Sequence, residues 1–198
     1  MFQIRIHGRG GQGVVTAAEL LSVAAFAEGR HAQAFPSFGS ERTGAPVVSF
    51  CRIDDRPIRL REPVLEPDAV IVQDPTLLRP ADGLGVDVLS GLRPEGYLLV
   101  NTAATLDDLG LGAVAARLPP GHAVAVPATS IARTHVGRPV PNAALLGAFA
   151  ALTGLMSIDS VAHAIATRFR GQVSEGNVAA ARAAYEHVKG VRAHARAA

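Results

Sequence analysis

The sequence predicts an α/β fold, a largely parallel sheet with a β-hairpin and a helical C-terminal third. Three observations carry this expectation. The alternating segment Phe2–His7 leads straight into Gly8-Arg9-Gly10-Gly11-Gln12-Gly13 and then into a helix-like run. Short, continuously apolar runs recur through the middle of the chain. The last third carries three alanine-rich segments of helical length. Strand, glycine turn and helix in that order make the architecture Rossmann-like.

Each element has its own warrant. Phe2–His7 alternates apolar and polar side chains, as a half-buried strand does. Val14–Glu28 reads as a helix whose small-residue face holds Leu20, Leu21, Ala24, Ala25 and Ala27, with Gly29 as its C-cap. His31–Phe35 is a second strand, ending at Pro36. Pro46–Ile53 and Arg56–Leu60 flank Asp54-Asp55 and read as the two arms of the hairpin. Ala69–Val72, Tyr97–Val100 and Ala123–Val126 are apolar throughout, which suits strands buried on both faces of a parallel sheet. Crossover helices fit at Val86–Leu92 and Leu106–Leu118. Asn142–Gly154, Ser157–Phe169 and Glu175–His194 form the helical third, with Asn142 and Ser157 as N-caps. No repeat, long linker or low-complexity tract interrupts the chain, so residues 1–198 read as a single domain.

Composition excludes several classes. The chain of 198 residues is 48% hydrophobic and 18% charged, the opposite of a disordered protein. A chain of this length buries roughly 70% of its unfolded surface, enough for its own core. The longest apolar run, Ala143–Leu155, falls short of the roughly 18 residues of a membrane span, and Met1 leads directly into a strand without a signal-peptide pattern. The expected compartment is therefore the cytoplasm. Net charge is only +2, and the basic residues are scattered, so neither nucleic acid nor a membrane is an expected partner. Cys51 is the single cysteine, which leaves no intrachain disulfide and no multi-cysteine zinc or iron–sulfur site.

The glycine turn is the sharpest candidate site. Gly8, Gly10 and Gly13 satisfy G-x-G-x-x-G, and a helix N-terminus beyond such a turn offers free N–H groups to an anion. A nicotinamide dinucleotide site also wants an acidic residue about 20 positions further on, where this chain has Gln33-Ala34-Phe35-Pro36-Ser37. A turn without a nucleotide, or one serving another ligand, is thus favoured over NAD. From spacing alone the loop Phe35–Pro46, which carries Ser40, Glu41 and Arg42, reads as a surface loop with solvated charges, but at the carboxyl ends of the strands it could face the same crevice as the turn. Arg9, Gln12, Ser40 and Arg42 would then converge on a phosphate-bearing ligand or on an acidic partner, with Gly10, Gly11, Gln12 and Gly13 contributing backbone N–H groups. His7, at the border of the turn, could polarise a carbonyl, although a hydrogen-bonded strand-end histidine is the commoner case. Asp74 reads as the cap of a turn, and Cys51 as a packed residue. His122, His135, His163 and His187 lack the spacing of a metal site.

Four ordered blocks carry a resemblance. G-R-G-G-Q-G-V-V-T-A-A-E-L-L at 8–21, F-P-S-F-G-S-E-R-T-G-A-P-V at 35–47, E-P-D-A-V-I-V-Q-D-P-T-L-L at 66–78 and P-N-A-A-L-L-G-A-F at 141–149 are similar to the gamma subunit or domain of pyruvate/2-ketoacid:ferredoxin oxidoreductases. One departure is Thr43, where that family usually has a second arginine, so Arg42 stands alone. The resemblance implies a chain without catalysis of its own, inside an enzyme that oxidatively decarboxylates a 2-oxoacid, captures the acyl group on coenzyme A and passes electrons to ferredoxin or another acceptor. It implies alpha, beta and ferredoxin-like delta-type subunits as partners, which would hold thiamine diphosphate and the iron–sulfur clusters. Coenzyme A would lie at the edge of this chain, at Gly8, Gly10, Gly11, Gln12, Gly13, Ser40 and Arg42. Pyruvate is the expected substrate. A phenylglyoxylate, 2-oxoglutarate, oxalate or indolepyruvate enzyme, or a free-standing nucleotide-binding module, are the alternatives.

Overall fold

The computed structural model describes residues 1–37, 43–78 and 87–197. Six strands form one sheet: β1 (Phe2–Arg9), β2 (His31–Pro36), β3 (Pro46–Asp54), β4 (Ala69–Val72), β5 (Tyr97–Asn101) and β6 (Ala123–Val126). Their order across the sheet is β2-β3-β1-β4-β5-β6. β1, β4, β5 and β6 run parallel, whereas β3 is antiparallel to both β1 and β2. The helices are α1 (Val14–Ala27), α2 (Gly112–Ala115), α3 (Ala128–Val136), α4 (Asn142–Thr153), α5 (Ile158–Arg168) and α6 (Gly171–Ala197). This is the expected α/β architecture, mostly parallel and with a helical C-terminal region.

Strand periodicity divides the interior into two layers. Ile4, Ile6, Cys51, Ile53, Ala69, Ile71, Leu99, Val124 and Val126 point to the face covered by α1 and the C-terminal helices. Val70, Val72, Leu98 and Val100 point to the other face, beneath Val88, Leu111 and Leu118. α4 is buried along nearly its whole length, which is why its sequence shows apolar residues on every side.

Four sequence expectations need correction. The hairpin pairs β2 with β3, not Pro46–Ile53 with Arg56–Leu60, which is irregular. Pro57 lacks the N–H that a ladder needs, so the second arm could not have formed as read. The expected helix over 106–118 contracts to α2, because Asp107, Asp108 and Gly110 make turns: Thr105 N–H and Oγ1 donate to Asp108, and Gly110 N–H donates to Asp107 O. Of the expected helix at 86–92, the described part (87–92) holds only turns, and its first residue lies outside the described set. Asn142 is the first residue of α4 rather than its cap, whereas Ser157 caps α5 by accepting from Ser160 N–H. α3 is an element the sequence reading missed.

Candidate functional site

The glycine turn sits at the carboxyl end of β1, beside the carboxyl ends of β4 and β5. Gly8 belongs to the strand itself, and a Cβ there would run into Val14 and Gln12 side chains. Gly11 and Gly13 adopt φ of +90° and +73°, a conformation other residues rarely take, and Gly13 is the N-cap of α1. Among the described residues no side chain caps that helix. Its first-turn N–H groups at Val14, Val15 and Thr16 have no intrahelical acceptor. They border a pocket of about 320 Å³ lined by Arg9, Gly10, Gly11, Gly13, Val14, Val15, Thr16 and Val47. A helix start without a cap, beside a pocket, is suited to an anion.

The turn is fastened on both flanks. Gly10 N–H donates to Ala45 O at 2.9 Å, and Gly44 N–H donates back to Gly10 O at 3.1 Å. The turn and the β2–β3 connection therefore do meet, as the sequence suggested. On the other flank, Gln12 Nε2 donates to Asp74 Oδ2 at 2.7 Å, while Gln12 Oε1 accepts from Arg9 N–H at 2.8 Å. Arg9 spans Thr76 Oγ1, Gly44 O and the Asp74 carboxylate. Gln73 Nε2 donates to Gln12 O, and Asn101 Nδ2 donates to Gln73 O and Thr129 Oγ1.

Those contacts engage part of the expected ligand set within the protein. The N–H of Gly10 is consumed by Ala45, and that of Gln12 by Arg9 O at 3.1 Å. The Gln12 and Arg9 side chains are likewise engaged within the protein. Among the described residues, the N–H groups of Gly11, Gly13 and the first turn of α1 have no protein acceptor. Ser40 and Arg42 lie outside the described residues. Asp74 does more than cap a turn. Although burial opposes ionisation, hydrogen bonds from Thr76 and Gln12 and the nearby Arg9 hold its carboxyl below the usual range. Thr16 and Val47 are pocket residues that sequence reading missed, since neither residue type signals chemistry.

β1 and β4 bracket the point where the chain's strand order reverses, the usual ligand crevice of an open α/β sheet. Here Gln12, Gln73, Asp74 and Arg9 are joined by hydrogen bonds and an ion pair. The pocket opens on the other side of the turn, toward Val47 at the start of β3. His7 is buried in β1, its Nε2 without a hydrogen-bond partner; burial, assisted by Arg5, lowers its pKa to about 3. Cys51 is fully buried, which raises its thiol pKa to about 12. Among the described residues no three His, Cys, Asp or Glu side chains are grouped to hold a metal. No helix among them is long and apolar enough to cross a membrane.

Residues 3–187 match the family described as pyruvate ferredoxin/flavodoxin oxidoreductase. Over 186 residues the chain is 47% identical to a protein of Pyrococcus furiosus named pyruvate/ketoisovalerate oxidoreductases common subunit gamma, covering 94% of this chain and 96% of that one. The chain belongs to this family, as a gamma subunit. Among solved structures, the gamma subunit resembles the pyruvate oxidoreductase subunit PORC of Thermotoga maritima, with TM-score 0.76, 36% identity and coverage of 93% and 95% of the two chains. It also shares its fold with part of 2-oxoglutarate:ferredoxin oxidoreductase from Magnetococcus marinus, solved with 2-oxoglutarate, coenzyme A and succinyl-CoA bound. That likeness has TM-score 0.67 at 16% identity and covers 98% of this chain but 31% of the other.

Proposed function

We propose that this gamma subunit, as one domain over residues 1–198, serves a cytoplasmic thiamine-diphosphate-dependent pyruvate:ferredoxin oxidoreductase by admitting coenzyme A at the glycine turn. The observation that carries the reading is the uncapped start of α1 opening into the pocket on the β3 side, while Gln12 and Asp74 at the crevice between β1 and β4 are bonded to each other. A pocket of this size accepts a phosphate-bearing portion of coenzyme A rather than the whole molecule. Gly11 and Gly13 allow close approach, the α1 N–H groups meet the phosphate oxygens, and Arg42, with Ser40, supplies charge and a hydroxyl from the neighbouring loop. The names of the relatives support pyruvate as the substrate. One of these names describes a subunit common to pyruvate and ketoisovalerate enzymes, which supports placing substrate choice in other chains.

Iron–sulfur clusters do not fit the donor set of this chain, whose only cysteine, Cys51, lies buried in β3, and thiamine diphosphate is placed with them outside it. They are assigned to alpha, beta and delta-type partners, with ferredoxin or another carrier as the electron acceptor.

The test is Thr16→Glu in the assembled complex. Position 16 is the third residue of α1, where a carboxylate favours the helix dipole, so folding is preserved while the anion pocket acquires a negative charge. Loss of a charge-assisted contact of about 1.5–3 kcal/mol corresponds to a coenzyme A KM roughly 10- to 150-fold higher. Decarboxylation without coenzyme A should be unchanged, and Arg42→Ala should act in the same direction. An unchanged KM in both variants refutes the placement.

A further inference from the structure

From β3 to β4 the chain crosses β1 by an irregular strap, residues 55–68, at the end of the sheet opposite the glycine turn. Eight residues of β1 separate the two ends, about 25 Å of extended chain. The strap is not a slack loop. Arg52, buried in β3, donates through Nη2 to Glu62 O at 2.6 Å. Arg5, buried in β1, donates through Nη1 to Val64 O at 3.4 Å, and through Nη2 to Val88 O and Ser90 O at 3.0 and 2.5 Å. Val64 and Pro67 are buried, and Pro57, Pro63 and Pro67 restrict the backbone further. Two guanidiniums taken out of water, to hold carbonyls of a segment without secondary structure, fix that segment in one shape.

What the strap presents outward is unusual for a solvated loop. Leu60 is 46% exposed and Leu65 76% exposed. Arg56, Arg59 and Arg61 are exposed around Leu60, and among the described residues none of them has a carboxylate partner. The neighbouring acids are otherwise disposed. Asp55 pairs with Arg30, Glu66 and Asp68 pair with Arg93, and the charge of Glu62 acts on the buried Arg52.

We infer that this strap is a docking surface for an acidic protein surface with an apolar depression, in which arginines 56, 59 and 61 meet carboxylates around a seated Leu60. A prearranged segment loses little conformational freedom on association, and charge complementarity sets its orientation. Exposed leucines favour a protein over a nucleic acid, and the strap holds no aromatic side chain on which a base could stack. The inference rests on the subunit reading above, but it concerns the end of the sheet remote from the pocket.

The experiment compares wild type with Arg56→Glu/Arg59→Glu/Arg61→Glu in the complete oxidoreductase. The dissociation constant of the gamma chain is measured from 50 to 500 mM salt, roughly a threefold change in screening length. Three exposed pairs lost should weaken retention about tenfold or more at low salt and flatten its salt dependence. Leu60→Asp should weaken it without changing the salt dependence in the same way. Equal dissociation constants and equal salt dependence for the triple variant and wild type overturn the inference. So does retention lost equally in a control reversal at Arg117. Should the wild-type chain fail to assemble with partners at all, the subunit reading fails instead, and the two failures are thereby distinguished.

Discussion

Gly147 decides how closely α4 and α6 approach. It lies inside α4, where replacement by alanine is ordinarily favourable, by about 1 kcal/mol of helix propensity. Its surroundings reverse that sign. A Cβ at position 147 would fall into the Ala181 peptide of α6, 2.5 Å from its carbonyl carbon and 2.8 Å from its Cα. The obstacle is backbone in the middle of a long helix, so no side chain can swing away. Both helices must part by about an ångström, loosening the contacts of Ala144, Leu145, Ala148, Ala180 and Ala184, all buried. Overpacking of this kind costs about 1–3 kcal/mol or more, so the propensity gain is outweighed and Gly147→Ala should lose about 2 kcal/mol net. For a chain of this size that is about 4–8 °C in Tm. Gly190, also within α6, supplies the contrast: a Cβ there meets no heavy atom of the described residues within 4 Å, so Gly190→Ala should gain up to about 1 kcal/mol. Urea and thermal melts of both variants measure the contrast. A Gly147→Ala protein as stable as wild type would refute the close helix contact.

Cys51, with its thiol pKa raised to about 12 by burial, should resist a maleimide at pH 8 in the folded protein and react only at the rate of unfolding; rapid labelling under native conditions would contradict its place in the core. His7 has a folded pKa of about 3, below its unfolded value of about 6.5, so the unfolded state binds the extra proton. The stability it contributes is complete above about pH 6.5 and is lost as pH falls toward 3, by up to about 1.4 kcal/mol per pH unit. His7→Gln should flatten that acid limb in urea melts, and a His7 resonance titrating near 6.5 would be the contrary result. Asp74→Asn should loosen the glycine turn by removing the charge on which Gln12 and Arg9 converge, at a cost of about 1–3 kcal/mol; amide exchange at Gly10 and Gln12 as slow as in wild type would show that the clamp is idle.

What the sequence made legible and what it concealed differ for physical reasons. β4, β5 and β6 were readable because strands buried on both faces have no polar positions, and α1 because it directly follows a turn that only glycine can make. The hairpin was misread because Asp54-Asp55 lies where a turn residue pair would, while the real partner of β3 is a strand ten residues upstream in sequence. α3 was hidden because it opens directly after β6 behind Pro127 and buries only Ala128 and Ala132. In the site, the glycines announced the turn, yet nothing local told that Gln12 would reach Asp74, a pairing across 62 positions. Arg5 and Arg52 are the same lesson in the core. Arginines in strands read as solvent-facing, and their burial is possible only because a distant irregular segment offers them carbonyls.

The backbone bridge between Gly10 and the residues around Gly44 has a mechanical consequence. Through it, the start of α1 is bolted to the connection between β2 and β3, and β2 forms one outer edge of the sheet. Peptide groups, not side chains, transmit force across that joint, so its stiffness does not depend on which residues occupy it. A shift of the chain that leads into β3 is therefore carried by peptide hydrogen bonds to the glycine turn from which α1 starts.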